Sequence, residues 1–165
     1  MAAVYWAAEY SLIRTIDSED RSPAEPTNHS DGLLDIVVLH SSEASTLRAL
    51  KTAATLAGEL SARVHLVAPR VVPYPLELNE PQVPVSFTAQ QLRQLAAEAG
   101  VEVEVDIILG RDFMTMLSAV LKPQSLVVLG ERRSRWWNFE WLDRENRLAK
   151  RLRKLGHQVV SADLN

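Results

Sequence analysis

The 165-residue sequence predicts a single α/β domain, a five-stranded parallel sheet with helices on both faces. Three patterns lead to this prediction. Short apolar runs alternate with helix-period patterns five times between residues 34 and 162. The run from Ser125 to Leu129 is short and apolar, as a central strand covered on both faces requires. The run from Val101 to Leu109 begins with alternating apolar and charged residues, which indicates a strand at the edge of the sheet.

The first predicted unit is a strand, a turn and a helix between residues 34 and 60. The apolar run from Leu34 to Leu39 predicts the strand, and Ser41, Ser42 and Glu43 follow it as the turn. The apolar residues of the helix share one stripe at helical spacing: Leu47, Leu50, Ala54, Ala57 and Leu60.

The second unit contains a strand, a proline-rich loop and a helix. The strand is predicted from Arg63 to Ala68, and the loop begins at Pro69 because proline cannot donate a hydrogen bond to a sheet. Thr88 and Gln91 form a predicted capping box for the helix, and Gly100 ends it.

The remaining units complete the alternation of strands and helices. Asp112 is predicted to cap the helix after the edge strand, and Pro123 ends that helix. Asp143 opens the last helix, and the last strand is predicted from His157 to Ala162. We expect right-handed crossovers between these units and the spatial strand order 3-2-1-4-5, which places the strand with alternating charge at one edge as its pattern requires.

The predicted order also locates a candidate site. In such sheets, ligands bind beyond the carboxyl ends of the strands where the order reverses, which are strands one and four here. The residues that follow these two strands are His40 to Glu43 and Gly130 to Asp143. We therefore expect functional side chains in these two segments.

Residues 1–32 are predicted to be an N-terminal tail that precedes the domain at 33–165. From Asp17 to Gly32 the sequence is acidic, contains proline and is poor in large apolar residues, so we expect a partly disordered linker. Residues 1–13 contain aromatic and aliphatic side chains and could form a short helix or a weakly ordered terminus.

Composition excludes several classes of function. The chain has no cysteine, which excludes disulfides, thiolate zinc sites and cysteine nucleophiles. No apolar run approaches the ~20 residues of a membrane span, and the N-terminus lacks the features of a secretory signal, so we expect a cytoplasmic protein. The four histidines lie on different elements, which argues against a metal site. No catalytic constellation is found.

From DIVVLHSSEAS through DIILGRDFMTMLSAVLKPQSLVVLG to the last strand, about residues 34–163, the sequence resembles the universal stress protein family. Ser42, Glu43 and Ser45 are similar to the turn after that family's first strand, and Gly110 matches the glycine that ends its third strand. The resemblance implies a Rossmann-like domain with an adenine-nucleotide site, a regulatory or stress-related role, and dimerisation through the last strand.

Most of the phosphate-binding glycines of the ATP-binding family members are replaced in this sequence. Their pattern Gly-x2-Gly-x9-Gly-Ser/Thr falls on Gly130, Arg133, Asp143 and Arg144. Phosphate needs bare backbone N–H groups at this helix start, and the Asp143 carboxylate would occupy them and repel it. His40 stands where these members have an aspartate. We therefore expect no cofactor and no ATP binding of the family's usual kind.

The segment 131–154 has the most unusual composition in the chain. It contains nine basic and four acidic residues, a net charge of +5, so the remainder of the −3 chain carries −8. Its tryptophans could pack over the open end of the sheet or form a surface for a partner protein. The candidates for that surface are Arg135, Trp136, Trp137 and Trp141. The acidic remainder disfavours contact with a membrane or with nucleic acid.

These observations favour two functions over a third, a membrane-peripheral or nucleic-acid accessory role of the segment 131–154. We expect a non-enzymatic regulatory or stress-related module that acts through self-association or a protein partner, with a homodimer formed by antiparallel pairing of His157 to Ala162. The alternative is a sensor or enzyme that holds a nucleotide or another anionic ligand beyond strands one and four. The ligand-binding candidates are His40, Ser41, Ser42, Gly110, Gly130, Arg132 and Arg133.

Overall fold

The computed structural model describes residues 2–7, 10–15, 34–78, 80–130 and 139–162, with side chains for 34–78, 80–130 and 146–162. Its strands are β1 (Ala2–Ala7), β2 (Tyr10–Thr15), β3 (Asp35–Leu39), β4 (Arg63–Val71), β5 (Glu104–Gly110), β6 (Leu126–Gly130) and β7 (Gln158–Ala162). Its helices are α1 (Glu43–Leu60), α2 (Val85–Ala99), α3 (Phe113–Val120) and α4 (Phe139–Lys154).

The seven strands form one sheet in the order β1-β2-β5-β4-β3-β6-β7. Five neighbouring strands are parallel to one another: β5, β4, β3, β6 and β7. Numbered by their order along the chain, these five strands stand in the spatial order 3-2-1-4-5. This confirms the predicted architecture. Because β3 and β6 are neighbours, the chain leaves their carboxyl ends side by side, at the point where the strand order reverses.

Two antiparallel strands extend this sheet beyond the predicted five. β1 pairs antiparallel with β2, and β2 pairs antiparallel with β5 from Tyr10 opposite Gly110 to Thr15 opposite Val105. The short helix considered for residues 1–13 is therefore wrong. Apolar and aromatic residues suit a helix or a strand, and the pairing with β5 decides between them.

The strand that the sequence predicts at 101–109 does not lie at an edge. It corresponds to β5, which has β4 on one side and β2 on the other. Glu104 at its start is exposed, but Asp106 is only 2% exposed. The alternating charged residues did not identify an edge strand, because β2, from a distant segment of the chain, pairs with the other side of β5. Residues 16–33 lie outside the described residues, so the linker there stays a prediction.

The sheet separates two apolar clusters, one on each face. The cluster on the side of α1 and α2 includes Ile36, Val38, Leu50, Leu66, Leu92 and Ile107. The cluster on the side of α3 and α4 includes Val37, Val67, Ile108, Met116, Leu117 and Leu152. Alternate residues of the central strands enter opposite clusters, which is why their sequences are continuously apolar. No helix in the described parts of the chain is long and apolar enough to cross a membrane.

One of the three predicted helix starts is present. The sequence predicts that Asp143 opens the last helix, which is wrong, because α4 begins at Phe139 and Asp143 lies within it. Asp112 caps α3, where its carboxylate accepts a hydrogen bond from the backbone N of Thr115 at 2.7 Å. The capping box predicted at Thr88 is wrong, because α2 begins at Val85 and Thr88 is a buried residue within it. The Thr88 hydroxyl accepts a hydrogen bond from Arg70 instead of capping the helix.

Strand β4 continues through Pro69 to Val71, beyond its predicted end. The carbonyl of Val67 accepts a hydrogen bond from His40 N, so alternate residues of β4, Pro69 included, direct their backbone groups toward β3. Because β3 ends at Leu39, the missing N–H of Pro69 removes no hydrogen bond from the sheet. Proline is therefore compatible with this part of a central strand.

Charged side chains link the amino ends of the parallel strands. Asp35, the first residue of β3, accepts a hydrogen bond from Lys122 Nζ at 2.6 Å. His65 Nε2 and Arg63 Nε lie 3.4 and 3.6 Å from its other carboxylate oxygen. Burial alone would raise the pKa of Asp35. The Lys122 hydrogen bond and the electrostatic interactions of Asp35 with His65, Lys122 and Arg63 outweigh burial and keep the pKa below its ordinary value of 3.8.

This network makes stability depend on pH. A carboxyl whose pKa is lower in the folded state stabilises the fold above its ordinary pKa, and this contribution disappears as the pH falls through the folded value. We expect Asp35→Asn to lower the free energy of unfolding by about 1 kcal/mol at neutral pH, with the difference from wild type shrinking below about pH 4. Urea denaturation over this pH range measures the free energy of unfolding of both proteins. A difference between them that does not change with pH would contradict the lowered pKa of Asp35.

Candidate functional site

A cleft of about 250 Å³ lies where β3 ends, between the first turn of α1 and one side of α2. Its position agrees with the predicted site beyond strand one. Three of the predicted ligand-binding residues line it, together with Glu43 of the same predicted segment and residues of α2 that the sequence did not associate with the site. The lining consists of His40, Ser41, Ser42, Glu43, Thr88, Gln91, Leu92 and Leu95.

His40 is held at the base of α1 by a buried hydroxyl. Its Nδ1 lies 2.9 Å from Oγ1 of Thr46, which is fully buried in the first turn of α1. The same oxygen accepts a hydrogen bond from the backbone N of Ser41 at 3.3 Å. The Thr46 hydroxyl therefore contacts both the imidazole of His40 and the backbone N–H of Ser41. Thr46 thus orients His40, a role that helix periodicity alone does not reveal.

The imidazole of His40 is neutral at physiological pH. Burial lowers its pKa, and the positive charge of Arg70 lowers it further, although the carboxylate of Glu43 acts in the opposite direction. A neutral imidazole donates one hydrogen bond and accepts another, but it brings no positive charge to the cleft. His40 is therefore suited to hold a polar ligand and not to attract an anion.

The first turn of α1 forms one wall of the cleft. Ser42 is the N-cap, and its Oγ accepts a hydrogen bond from the backbone N of Ser45 at 3.4 Å. Its hydroxyl also lies 3.0 Å from that of Ser45. The hydroxyl of Ser42 is thus used by the helix start, as N-cap hydroxyls are. Ser41 is exposed, which leaves its hydroxyl accessible to a ligand.

Helix α2 forms the opposite wall. Leu92 and Leu95 give it an apolar surface, and Thr88 and Gln91 add a hydroxyl and an amide. Arg70, near the end of β4, donates a hydrogen bond to the Thr88 hydroxyl and so connects the sheet to this wall. The proline-rich sequence after Arg70 does not indicate this contact, because the two residues belong to different elements, β4 and α2.

Arg111 fixes the proline-rich loop that leads into α2. Its guanidinium donates to the backbone oxygens of Val72 and Leu76, each at 2.7 Å, and lies 4.0 Å from the centre of the Tyr74 ring. Gly110, immediately before it, accepts a hydrogen bond from Val72 N at 2.9 Å. Gly110 therefore lies at the base of the loop, outside the lining of the cleft.

Gly130 ends β6 directly against the first turn of α1. A Cβ atom added at Gly130 would lie 1.8 Å from the carbonyl oxygen of Ser45 and 2.4 Å from its carbonyl carbon. Only glycine fits at this distance from backbone. This gives Gly130 a packing role, and its role in ligand binding stays a prediction.

The other predicted site residues cannot be placed in the same way. Arg132, Arg133, Arg135, Trp136 and Trp137 lie outside the described residues. Trp141 belongs to the described backbone of α4, but its side chain does not. Ligand binding by the two arginines and a partner surface formed by the tryptophans and Arg135 stay predictions.

Comparison with known proteins adds information on the fold. No protein-family model and no curated protein sequence matches the chain. Solved structures do: a universal stress protein in complex with cAMP is 16% identical, covers 79% of this chain and 96% of its own, and superimposes with a TM-score of 0.51. The chain has the fold of the universal stress proteins.

Two further structures with the universal stress protein fold come from Archaeoglobus fulgidus. One, in complex with dAMP, is 18% identical, covers 79% of this chain and 98% of its own, and has a TM-score of 0.54. The other is 16% identical, covers 79% of this chain and 93% of its own, and has a TM-score of 0.50. At these identities the likeness concerns the fold.

Proposed function

We propose that the chain is a non-enzymatic regulatory module that acts by self-association through the outer edge of β7. The position of β7 carries this proposal. Within the described residues the sheet ends at this strand, and the end of a sheet is where another strand can add. The universal stress protein fold supports a regulatory or stress-related role.

The register of β7 on β6 identifies the backbone groups available for pairing. Gln158 N donates to Ser125 O, so the backbone groups of Gln158 face β6. Alternate residues of a parallel strand face the same way, and the N–H and C=O groups of Val159 and Ser161 consequently point outward. Antiparallel pairing of these groups with a second copy would join two sheets around a twofold axis.

The chemistry of the cleft supports a non-enzymatic role. A general base must reach the proton that it removes, from a nucleophile or from the substrate. Nδ1 of His40 pairs with Thr46, and among the described residues no hydrogen bond connects His40 to the hydroxyl of Ser41 or Ser42 or to a carboxylate. The polar side chains of the cleft are thus held in place by the fold as hydrogen-bonding groups.

A proline in β7 tests self-association. Ser161→Pro removes an outward N–H without removing a hydrogen bond to β6, so we expect it to keep the fold and to abolish the dimer. Ser161→Ala, which retains the N–H, is the control and should dimerise like wild type. Sedimentation velocity measures both, with circular dichroism to confirm folding. A wild-type chain that remains monomeric at high concentration would contradict the proposal, as would a Ser161→Pro dimer.

We also propose that ATP does not bind in the manner implied by the family resemblance. Arg133 and Asp143 replace two glycines of the phosphate-binding pattern, and the third, Gly130, is packed against α1. The neutral imidazole of His40 provides no fixed negative charge where the aspartate would stand. Isothermal titration with ATP and magnesium should give no low-micromolar binding, and such binding would overturn the proposal.

A second candidate function is the sensing of a small ligand in the cleft, supported by two observations. The cleft combines an apolar wall with hydrogen-bonding groups, which suits a flat polar ring. Two proteins of the same fold have structures in complex with cAMP and with dAMP. A dAMP-dependent rise in the thermal midpoint that Gln91→Ala abolishes would favour this function, because ligands stabilise the state that binds them.

A further inference from the structure

The outer edge of β7 carries a contact from α4. In the last turn of α4, Arg153 donates a hydrogen bond from its guanidinium to the carbonyl oxygen of Val159 at 3.2 Å. This carbonyl belongs to the outward groups of β7, since Gln158 faces β6. Arg153 therefore occupies one of the backbone acceptors that an added strand would use.

We propose that Arg153 guards the β7 edge, so that a second copy pairs with β7 only after this contact is broken. The proposal rests on self-association through β7 and adds the device that regulates it. It also assigns a role to Arg153, whose charged side chain contacts the backbone of β7 at the end of the sheet.

The geometry explains how the guard would act. A paired strand lies about 4.7–4.9 Å from its neighbour in the direction of the hydrogen bonds. A guanidinium nitrogen 3.2 Å from the Val159 carbonyl oxygen lies within the space of the approaching strand. Charged side chains at sheet edges are a common way in which proteins prevent pairing between copies. In a twofold dimer the contact would have to break once in each copy.

The chain offers a matched pair of substitutions. Arg153→Met removes the guanidinium and keeps most of the aliphatic stem. Arg151→Met makes the same change two residues earlier on α4, at an exposed arginine whose charge acts on Asp112 at the start of α3. Lys154 remains in the last turn in both variants, which preserves a favourable charge at the helix C-terminus.

We expect Arg153→Met to lower the dissociation constant of the dimer about tenfold, since two hydrogen bonds no longer oppose pairing. Arg151→Met should stay within about twofold of wild type, because it removes the same charge without touching β7. Sedimentation equilibrium at one fixed salt concentration measures all three proteins. Adding Ser161→Pro to Arg153→Met should return the chain to the monomer.

The outcomes separate failure of the guard from failure of the proposed function. If wild type dimerises, Ser161→Pro abolishes the dimer and the two methionine variants have equal dissociation constants, β7 pairing stands and the guard is wrong. If Arg153→Met dimerises and Ser161→Pro does not reverse it, the association does not use β7, and both proposals fail. If Arg153→Met and wild type are both monomers, removing Arg153 does not open the edge, and both fail.

Discussion

Replacing Gly130 with alanine is expected to lower the free energy of unfolding by about 3 kcal/mol or more. The new Cβ would lie 1.8 Å from the backbone oxygen of Ser45, so relief requires α1 to move away from the end of β6. Because α1 also packs its buried residues on the sheet, that movement would disturb the core on this face. Chemical denaturation measures the change.

Gly58 provides the control for this substitution. It lies within α1, is exposed, and a Cβ atom added there would meet no atom within 4 Å. Gly58→Ala should raise the free energy of unfolding by about 0.5–1 kcal/mol, because alanine favours a helix more than glycine does. A Gly130→Ala protein as stable as wild type would contradict the close approach of Gly130 to the backbone of Ser45.

Replacing Arg111 with methionine is expected to lower the free energy of unfolding by about 2–4 kcal/mol. The substitution removes two hydrogen bonds from the charged guanidinium to the carbonyl oxygens of Val72 and Leu76. These oxygens then lose their charged donor. We expect the largest effect in the loop and the start of α2, where amide hydrogen exchange should become faster. Denaturation gives the global change and hydrogen exchange gives its location.

Two variants separate the parts of this interaction. Arg111→Lys keeps the charge, but a single ammonium cannot reproduce the planar fork that contacts two carbonyls, so an intermediate loss is expected. Tyr74→Leu removes only the ring under the guanidinium, and since Tyr74 is 80% exposed the loss should be about 0.5–1 kcal/mol. Equal losses for Arg111→Met and Tyr74→Leu would show that the hydrogen bonds contribute little.

Much of the fold was predictable because its signals are local. Apolar runs covered on both faces marked β3 and β6, and residues at helical spacing marked the helices. The cap at Asp112 depends on Thr115, three residues away, and was predicted correctly. The capping box at Thr88 was wrong because the same residue types also serve tertiary contacts, here with Arg70.

The sequence indicated one wall of the cleft and not the other. Strand order pointed to the residues beyond β3, and His40, Ser41 and Ser42 line the cleft there, while their ligand-binding role stays a prediction. The wall from α2 was missed. The contacts of Arg70 and Arg111 were also missed. The partner of Arg70 lies 18 residues away in the sequence, and the two partners of Arg111 lie 39 and 35 residues away. Contacts at such separations leave no periodic signal in the sequence.

By itself, the sequence determined the alternation of strands and helices, the order of the five parallel strands and the edge where a site would form. The alternation follows from burial patterns with periods of a few residues, and the strand order from the alternating charge that placed β5 at the end of the five parallel strands. Only the tertiary structure decided that β1 and β2 extend the sheet beyond β5, that Gly130 is required by α1, and that Arg153 reaches the edge of β7. Each depends on which distant segments become neighbours, which local propensity does not specify.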